Sequence, residues 1–224
     1  MTPNSEPFAF TALREQRFVA VIRAANPDAA LGAARAVAAG GIRLIEITYS
    51  VPDAARVMKA LAGRDDLIVG AGTVLTDDQC RAALDAGAKF IIAPNFSTEV
   101  ARMTLSASAM FCPGAYTTGE IIAAYAGGAH VVKVYPVGVA GGPAYIKVIR
   151  DPLPDVPMLA AGGTNLDNVV PFLQAGCVGC GLGASLADPQ LALRGDFAEI
   201  TRRAQAFVAR LDAARTAGEI GAAA

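Results

Sequence analysis

Eight times along this chain a short run of β-branched and other apolar residues gives way to an alanine-rich stretch of helical period, the unit recurring about every 20–25 residues. Such alternation is the pattern of βαβ units, in which a crossover helix makes successive strands run parallel and covers one face of the sheet. The expected strands are Phe18–Arg23, Ile42–Thr48, Leu67–Gly72, Lys89–Ala93, Met110–Cys112, Val131–Tyr135, Met158–Ala161 and Val178–Leu182. The expected helices are Pro27–Ala39, Pro52–Leu61, Asp77–Ala86, Thr98–Leu105, Thr117–Ala126, Pro143–Ile149, Asn165–Ala175 and Gly195–Ala214. Several open on a Pro suited to the first turn, or on an Asp, Asn or Thr able to cap free N–H groups. Ala-Gly recurs at helix ends, in Ala39-Gly40, Ala86-Gly87, Ala126-Gly127 and Ala175-Gly176. There the glycine is expected to take the left-handed conformation that stops a helix.

Eight units without a break in composition predict an α/β TIM (β/α)8 barrel, one domain over residues 1–224 with its core from about residue 17 to 214. An open doubly wound sheet is the alternative. An extra N-terminal helix at Thr11–Gln16 is expected to close the bottom of the barrel, and Gly218–Ala224 reads as a frayed tail.

The chain is 54% hydrophobic with a mean hydropathy of +0.42, yet Gly and charged residues interrupt every apolar run. None approaches the roughly 18 residues of a membrane span, so no membrane association is expected. The formal charge is −1, and Arg202-Arg203 is the nearest thing to a basic cluster, which argues against nucleic acid and for a small-molecule partner. Met1-Thr2-Pro3-Asn4-Ser5-Glu6-Pro7 lacks the basic residue and apolar stretch of a secretory signal, so a cytoplasmic location is expected. Cys177 and Cys180 form a C-x-x-C pair, but Cys80 and Cys112 supply no second pair and His130 is the single histidine. A tetrahedral zinc site needs about four such ligands, so neither a metal nor a redox role is expected, and both cysteines read as small buried residues.

One residue is out of place in this pattern. Lys133 lies inside His130-Val131-Val132-Lys133-Val134-Tyr135-Pro136, whereas Lys59 and Lys147 fall in amphipathic helical stretches and Lys89 opens an apolar run. Burying an ammonium is costly and favours the neutral amine, the form that attacks a carbonyl carbon to give a Schiff base. Period-two alternation places Val131, Lys133 and Tyr135 on one face and Val132 and Val134 on the other. The all-valine face suits packing against outer helices, which turns Lys133 into the barrel. By the same alternation Leu44, Glu46 and Thr48 face in while Ile45 and Ile47 pack outward. Glu46 and Lys133 together form either a structural ion pair or a proton-transfer group beside a nucleophile. The second reading is preferred, because both groups are expensive to bury and both lie toward the C-terminal strand ends, where barrels carry their chemistry.

Other strand ends carry Arg23, Gly70-Ala71-Gly72-Thr73, Pro94-Asn95 and Pro113-Gly114. After the seventh and eighth strands come Gly162-Gly163-Thr164 and Gly181-Leu182-Gly183-Ala184-Ser185, whose glycines let backbone N–H groups approach an anion at the usual phosphate position of a barrel. A phosphorylated substrate is therefore expected. Tyr49, Tyr116 and Tyr135 are placed to line a pocket, but aromatic residues at strand ends are more often packing and are read so; His130, at the start of its strand, reads as structural.

Taken together, Ile45-Glu46-Ile47-Thr48, Val69-Gly70-Ala71-Gly72-Thr73-Val74-Leu75, Ile92-Ala93-Pro94-Asn95, Cys112-Pro113-Gly114, Val132-Lys133-Val134-Tyr135-Pro136 and Ala161-Gly162-Gly163-Thr164 resemble the class I 2-keto-3-deoxy-6-phosphogluconate, 2-keto-3-deoxy-6-phosphogalactonate and 4-hydroxy-2-oxoglutarate aldolase family. The likeness runs from about Arg17 to Leu186. It implies a retro-aldol enzyme acting on a phosphorylated keto acid to give pyruvate, a cytoplasmic homotrimer without cofactor or metal. Lys133 is then the Schiff-base lysine, Glu46 the proton shuttle and Thr73 a contact to the pyruvate carboxylate, with Pro94, Gly162, Gly163, Gly183, Ala184 and Ser185 at substrate-binding positions.

Two residues depart from the family pattern. Gluconate-type members usually carry an arginine where Ser50 stands, four residues after the glutamate. Ser50-Val51-Pro52, Pro94-Asn95 and Gly142-Pro143-Ala144-Tyr145-Ile146-Lys147 look closer to the phosphogalactonate branch, where Arg23 would be the cation near the substrate. Ala184 stands where a serine often meets the phosphate, leaving Ser185 or the N–H groups of Gly163 and Gly183 to replace it. Cleavage of 4-hydroxy-2-oxoglutarate, decarboxylation of oxaloacetate, a phosphate-binding isomerase and a non-catalytic sugar-phosphate binding barrel are the alternatives.

Overall fold

The computed structural model describes residues 6–221. The first half runs α1 (Phe8–Gln16), β1 (Phe18–Ile22), α2 (Pro27–Ala39), β2 (Leu44–Thr48), α3 (Ala54–Ala62), β3 (Ile68–Gly72), α4 (Asp77–Asp85), β4 (Phe90–Ile92), α5 (Thr98–Ser106) and β5 (Met110–Cys112). The second half runs β6 (Gly114–Ala115), α6 (Thr118–Ala126), β7 (Val132–Val134), α7 (Val137–Ala140), α8 (Pro143–Arg150), β8 (Met158–Ala161), α9 (Val169–Gln174), β9 (Gly179–Leu182), α10 (Pro189–Arg194) and α11 (Phe197–Thr216).

The sheet is parallel, in the order β5-β4-β3-β2-β1-β9-β8-β7-β6. Its two ends, β5 and β6, are separated in the chain by Pro113 alone, so the sheet closes on itself. Proline has no N–H to give a ladder, and the single expected strand at Met110–Cys112 becomes two short ones at this point. The first pairs with β4 and the second with β7, where Lys133 N donates to Pro113 O at 2.8 Å and Tyr135 N to Ala115 O at 3.0 Å. The result is an α/β TIM barrel, and the open doubly wound alternative is overturned by this closure.

Strand alternation sorts the core into two layers. Val19, Leu44, Ile68, Phe90, Ile92, Met110, Cys112, Val131 and Leu159 form the interior, and Ala9, Phe10, Ala12 and Leu13 of α1 close it from below. Ile22, Ile45, Ile47, Val69, Ile91, Phe111, Val132, Val134 and Leu182 pack outward against the helices. The barrel-closing helix begins at Phe8 instead of Thr11, because Phe10 is needed in the plug. His130 sits at this lower end, its Nδ1 accepting from Phe111 N at 3.0 Å, which suits its structural reading.

On β3 the inward positions after Ile68 are glycines, for reasons of space. A Cβ on Gly70 would lie 2.2 Å from the Phe90 ring, and one on Gly72 would lie 1.8 Å from Glu46 Oε1. Gly72→Ala is therefore expected to displace the Glu46 carboxylate and to destabilise the protein by about 1–3 kcal/mol through overpacking. Thermal unfolding and steady-state turnover of that variant check both effects.

Several helix ends differ from expectation. α3 starts at Ala54, not Pro52, because Asp53 is left-handed with φ 52°. Where two glycines follow a helix, the second takes the positive φ: Gly41 at 97° and Gly128 at 94°, while Gly40 and Gly127 remain at −86° and −77°. α9 starts at Val169, with Asn165 and Asn168 spent on a preceding turn in which Asn168 Oδ1 accepts from Asn165 N at 2.8 Å. The helix expected from Gly195 starts instead at Phe197, because Gly195, φ 76°, ends a separate short helix, α10; α10 and α7 both lie outside the expected elements. Within the supposed frayed tail, Glu219 pairs with Arg210 at 3.0 Å and Ile220 packs on the core, so the chain is held as far as Ile220; residues 222–224, like Met1–Ser5, lie outside the described residues. Cys177 follows α9 and Cys180 lies on β9, both buried and unpaired. Among the described residues no helix is long and apolar enough to cross a membrane, and no three His, Cys, Asp or Glu side chains gather as a metal site.

Candidate active site

The C-terminal ends of β1, β7, β8 and β9 surround a cleft of about 320 Å³ lined by Val21, Arg23, Lys133, Tyr135, Ala161, Gly162, Gly163, Thr164, Gly181, Gly183, Ala184 and Ser185. Seven of the ten residues expected at the site, Arg23, Lys133, Gly162, Gly163, Gly183, Ala184 and Ser185, therefore share one cavity. Lys133 is inward on β7 and 6% exposed; Glu46, inward on β2, is 1% exposed. Burial lifts the Glu46 carboxyl above its ordinary range, and the positive charges of Lys133 and Arg23 pull it back down. Glu46 Oε1 is buried and, among the described residues, has no hydrogen-bond partner. An unmatched buried acceptor is costly, and a catalytic role, local strain or an ordered water or ion accounts for one in a native structure.

Arg23 leaves β1 at the rim and is aimed by two hydroxyls. Its Nη1 donates to Ser50 Oγ at 3.2 Å and its Nη2 to Thr73 Oγ1 at 3.4 Å. Ser50 Oγ lies 2.7 Å from Thr48 Oγ1, and the fully buried Thr48 donates to Ile22 O at 3.0 Å. A serine in place of a family arginine thus sits in a relay from the β1 backbone to the Arg23 guanidinium. Thr73 has φ 55°, an uncommon conformation for a β-branched residue, and is the next residue after Gly72. Pro94 does not line the cleft; it closes on Gly114, where a Cβ would meet Pro94 O at 2.3 Å, and Gly114 in turn pairs with Lys133.

The two glycine loops are tied side by side. Thr164 Oγ1 donates to Gly181 O at 2.6 Å, Ser185 Oγ to Thr164 O at 2.9 Å and Asn168 Nδ2 to Gly163 O at 2.8 Å. α7 seats against them, with Gly138 N on Gly162 O at 2.7 Å and a Cβ on Gly163 excluded by Gly138 Cα at 2.8 Å. Among the described residues, the backbone N–H groups of Gly163, Thr164, Gly183, Ala184 and Ser185 donate to no protein acceptor. Five backbone donors on two adjoining loops are thus left free of protein acceptors, the kind of group that binds an anion.

Sequence reasoning missed Thr164 as the brace between these loops, Thr48 as the anchor of the relay and Tyr135 as a wall of the cleft. Parity on the strand offered a signal for Thr48 and Tyr135, since each shares a face with Glu46 or Lys133.

The family model described as KDPG and KHG aldolase matches residues 10–203. The chain is 36% identical over 171 residues to the 2-dehydro-3-deoxy-6-phosphogalactonate aldolase of Escherichia coli K12, spanning 75% of this chain and 83% of that protein. It is 34% identical over 193 residues to the 2-dehydro-3-deoxy-phosphogluconate aldolase of Pseudomonas aeruginosa, spanning 86% and 88%. Among solved structures, the KDPG aldolase of Legionella pneumophila with pyruvate captured as a covalent carbinolamine superposes with a TM-score of 0.81 at 27% identity, covering 88% of this chain and 97% of that one. Closed barrel, inward lysine and glutamate, and these matches agree: the chain belongs to the KDPG and KHG aldolase family of carbon–carbon lyases.

Proposed function

We propose that the protein cleaves a 2-keto-3-deoxy-6-phospho sugar acid, of the phosphogluconate or phosphogalactonate type, to pyruvate and glyceraldehyde 3-phosphate through a Schiff base on Lys133. The observation that carries this reading is a buried amine facing the cleft, with a buried carboxylate nearby whose Oε1 is unmatched. The neutral amine of Lys133 attacks C2, and protonated Glu46 gives its proton to the carbinolamine hydroxyl, which leaves as water to form the iminium. The Glu46 carboxylate then takes the C4 hydroxyl proton, the C3–C4 bond breaks toward the iminium, and the aldehyde leaves behind an enamine. Glu46 returns that proton to C3, and hydrolysis of the new iminium frees pyruvate and the amine and hands a proton back to Glu46. Thr73 and Arg23 would hold the substrate's polar groups beside Lys133, and the free N–H groups at Gly163, Gly183, Ala184 and Ser185 its phosphate.

The Ser50–Arg23 bond favours the phosphogalactonate type, since the cation is delivered from β1. Ser50→Ala removes that support and is expected to raise KM roughly 2- to 13-fold, the equivalent of about 0.5–1.5 kcal/mol, with kcat much less affected. Kinetics on both phosphorylated acids check it. A second reading rests on Ala184 and on Ser185, whose proton goes to Thr164 O: with no side-chain hydroxyl free to donate there, 4-hydroxy-2-oxoglutarate or oxaloacetate would be turned over by the same lysine. The same kinetics, run on all four acids, rank these substrates.

Incubation with pyruvate followed by borohydride, with peptide mapping, tests the whole reading. One reduced pyruvate on Lys133 is expected; a folded protein that gains none is a binding barrel without Schiff-base chemistry. A cytoplasmic homotrimer belongs to the same proposal, supported by four unpaired cysteines and by exposed apolar side chains such as Val139 and Val148, 80% and 66% exposed. Light scattering in solution measures the assembly.

A further inference from the structure

Two residues beyond Lys133 on the same strand face stands Tyr135, among the described residues the one aromatic side chain lining the cleft. Lys133 Nζ lies 4.9 Å from the centroid of its ring, well inside the range over which a cation is attracted to a π face. The ring is held in that position by a backbone arrangement that only glycine permits. Gly162 has φ 79°, and a Cβ on it would lie 2.9 and 3.0 Å from Tyr135 Cδ2 and Cε2. From the other side, Tyr135 N is anchored to Ala115 O at 3.0 Å across the barrel closure. Among the described residues the Tyr135 hydroxyl makes no hydrogen bond, so what the residue offers the lysine is its ring and not its O–H.

We propose that Tyr135 is a catalytic residue whose ring face stabilises the positive charge of the iminium on Lys133 Nζ. The inference rests on the Schiff-base reading above and adds to it a residue that selects among intermediates. Free amine, carbinolamine and enamine are neutral at that nitrogen, whereas the iminium is cationic for as long as it exists. A negative π face therefore raises the iminium at the expense of the carbinolamine. The same face opposes discharge of the iminium to the enamine. Its signature is accordingly a large effect on the trappable population and a smaller one on kcat.

The test replaces Tyr135 by phenylalanine and then by phenylalanines of increasing ring fluorination, which drains the quadrupole while nearly preserving shape. Borohydride reduces only the iminium, so the fraction of chain reduced in a short pulse at saturating pyruvate reports its population. Tyr135→Phe is expected to behave within about twofold of the parent, and the trapped fraction to fall stepwise with fluorination, by roughly 2- to 30-fold in all, with Tyr135→Leu at or below the lowest step. A flat series, or Tyr135→Phe as impaired as Tyr135→Leu, overturns the proposal. Circular dichroism confirms folding, and the fluorinated series stays informative if Tyr135→Leu does not fold. If the unsubstituted protein traps no pyruvate on Lys133, it is the Schiff-base reading that fails; if it traps normally and the series is flat, only the role of Tyr135 fails.

Discussion

Lys133→Met is expected to abolish pyruvate trapping and to lower turnover of the preferred acid by roughly 10⁴- to 10⁶-fold, the scale seen when a covalent nucleophile is removed. Methionine fills nearly the same volume along the inward face of β7, so the barrel has no cavity to collapse around. Removing the Lys133 charge leaves the buried Glu46 carboxyl less compensated, so stability is expected to fall. That fall is common to a functional and a structural lysine, and pyruvate trapping is the readout that separates the two. Lys133→Arg completes the set: it keeps the charge, cannot present a neutral amine, and should be as inactive as the methionine variant. Trapping, turnover and urea unfolding on the three proteins give the answer. Adduct formation persisting in Lys133→Met would remove the lysine from the mechanism.

The second large effect lies at Glu46. Glu46→Gln keeps shape and removes the proton carrier, and turnover should fall about 10²- to 10⁴-fold. Its stability behaviour follows from the direction of the carboxyl's shift. Burial holds the folded value above the ordinary 4.5, so as pH rises through 4.5 the unfolded chain releases this proton before the native chain does. The native state then binds more protons than the unfolded state, and Glu46's contribution to stability falls with rising pH until the folded value is passed. Above it the slope vanishes and the cost of the buried anion is fully present. Glutamine does not titrate, so the variant should lack this downward slope and be more stable than the parent at neutral pH. Urea unfolding from about pH 4.5 upward measures the difference between the two proteins. An identical pH profile would mean that Glu46 titrates alike in both states and is not the buried proton carrier of the mechanism.

These two residues were legible early because the signals that expose them are local. A charge in a β-branched run is visible in a window of seven residues, and period-two alternation gives its direction. The observed inner layer of Leu44, Ile68, Phe90 and Val131 follows that parity. The glycine loops were legible for the same reason, and the cleft contains them. Other features were hidden because a neighbour distant in sequence decides them. Pro113 reads as a strand end, and only ring closure makes it the joint between β5 and β6. The glycine that turns left-handed after α2 and α6 is the second of a pair, a choice that composition does not mark. Ser50 shows in sequence only as a departure from the gluconate-type arginine, and Thr48 below it and Arg23 beside it make it part of a relay. Tyr135 shares parity with Lys133, but parity cannot say that the ring lies over Nζ instead of away from it. The absent side chain of Gly162 decides that.

Sequence by itself determined the repeated β/α unit, the parallel strands and the inward direction of Lys133 and Glu46, since each follows from steric periodicity and from the cost of burying charge within a few neighbouring residues. Tertiary structure alone decided which strands meet. Closing the barrel brings β2 and β7 to face one interior, so that the charges of Glu46 and Lys133 act on one another, and it sets the ends of β8 and β9 side by side, so that their two glycine loops bond to each other. Such convergence depends on the geometry of a closed ring, in which every strand position is fixed by all the others.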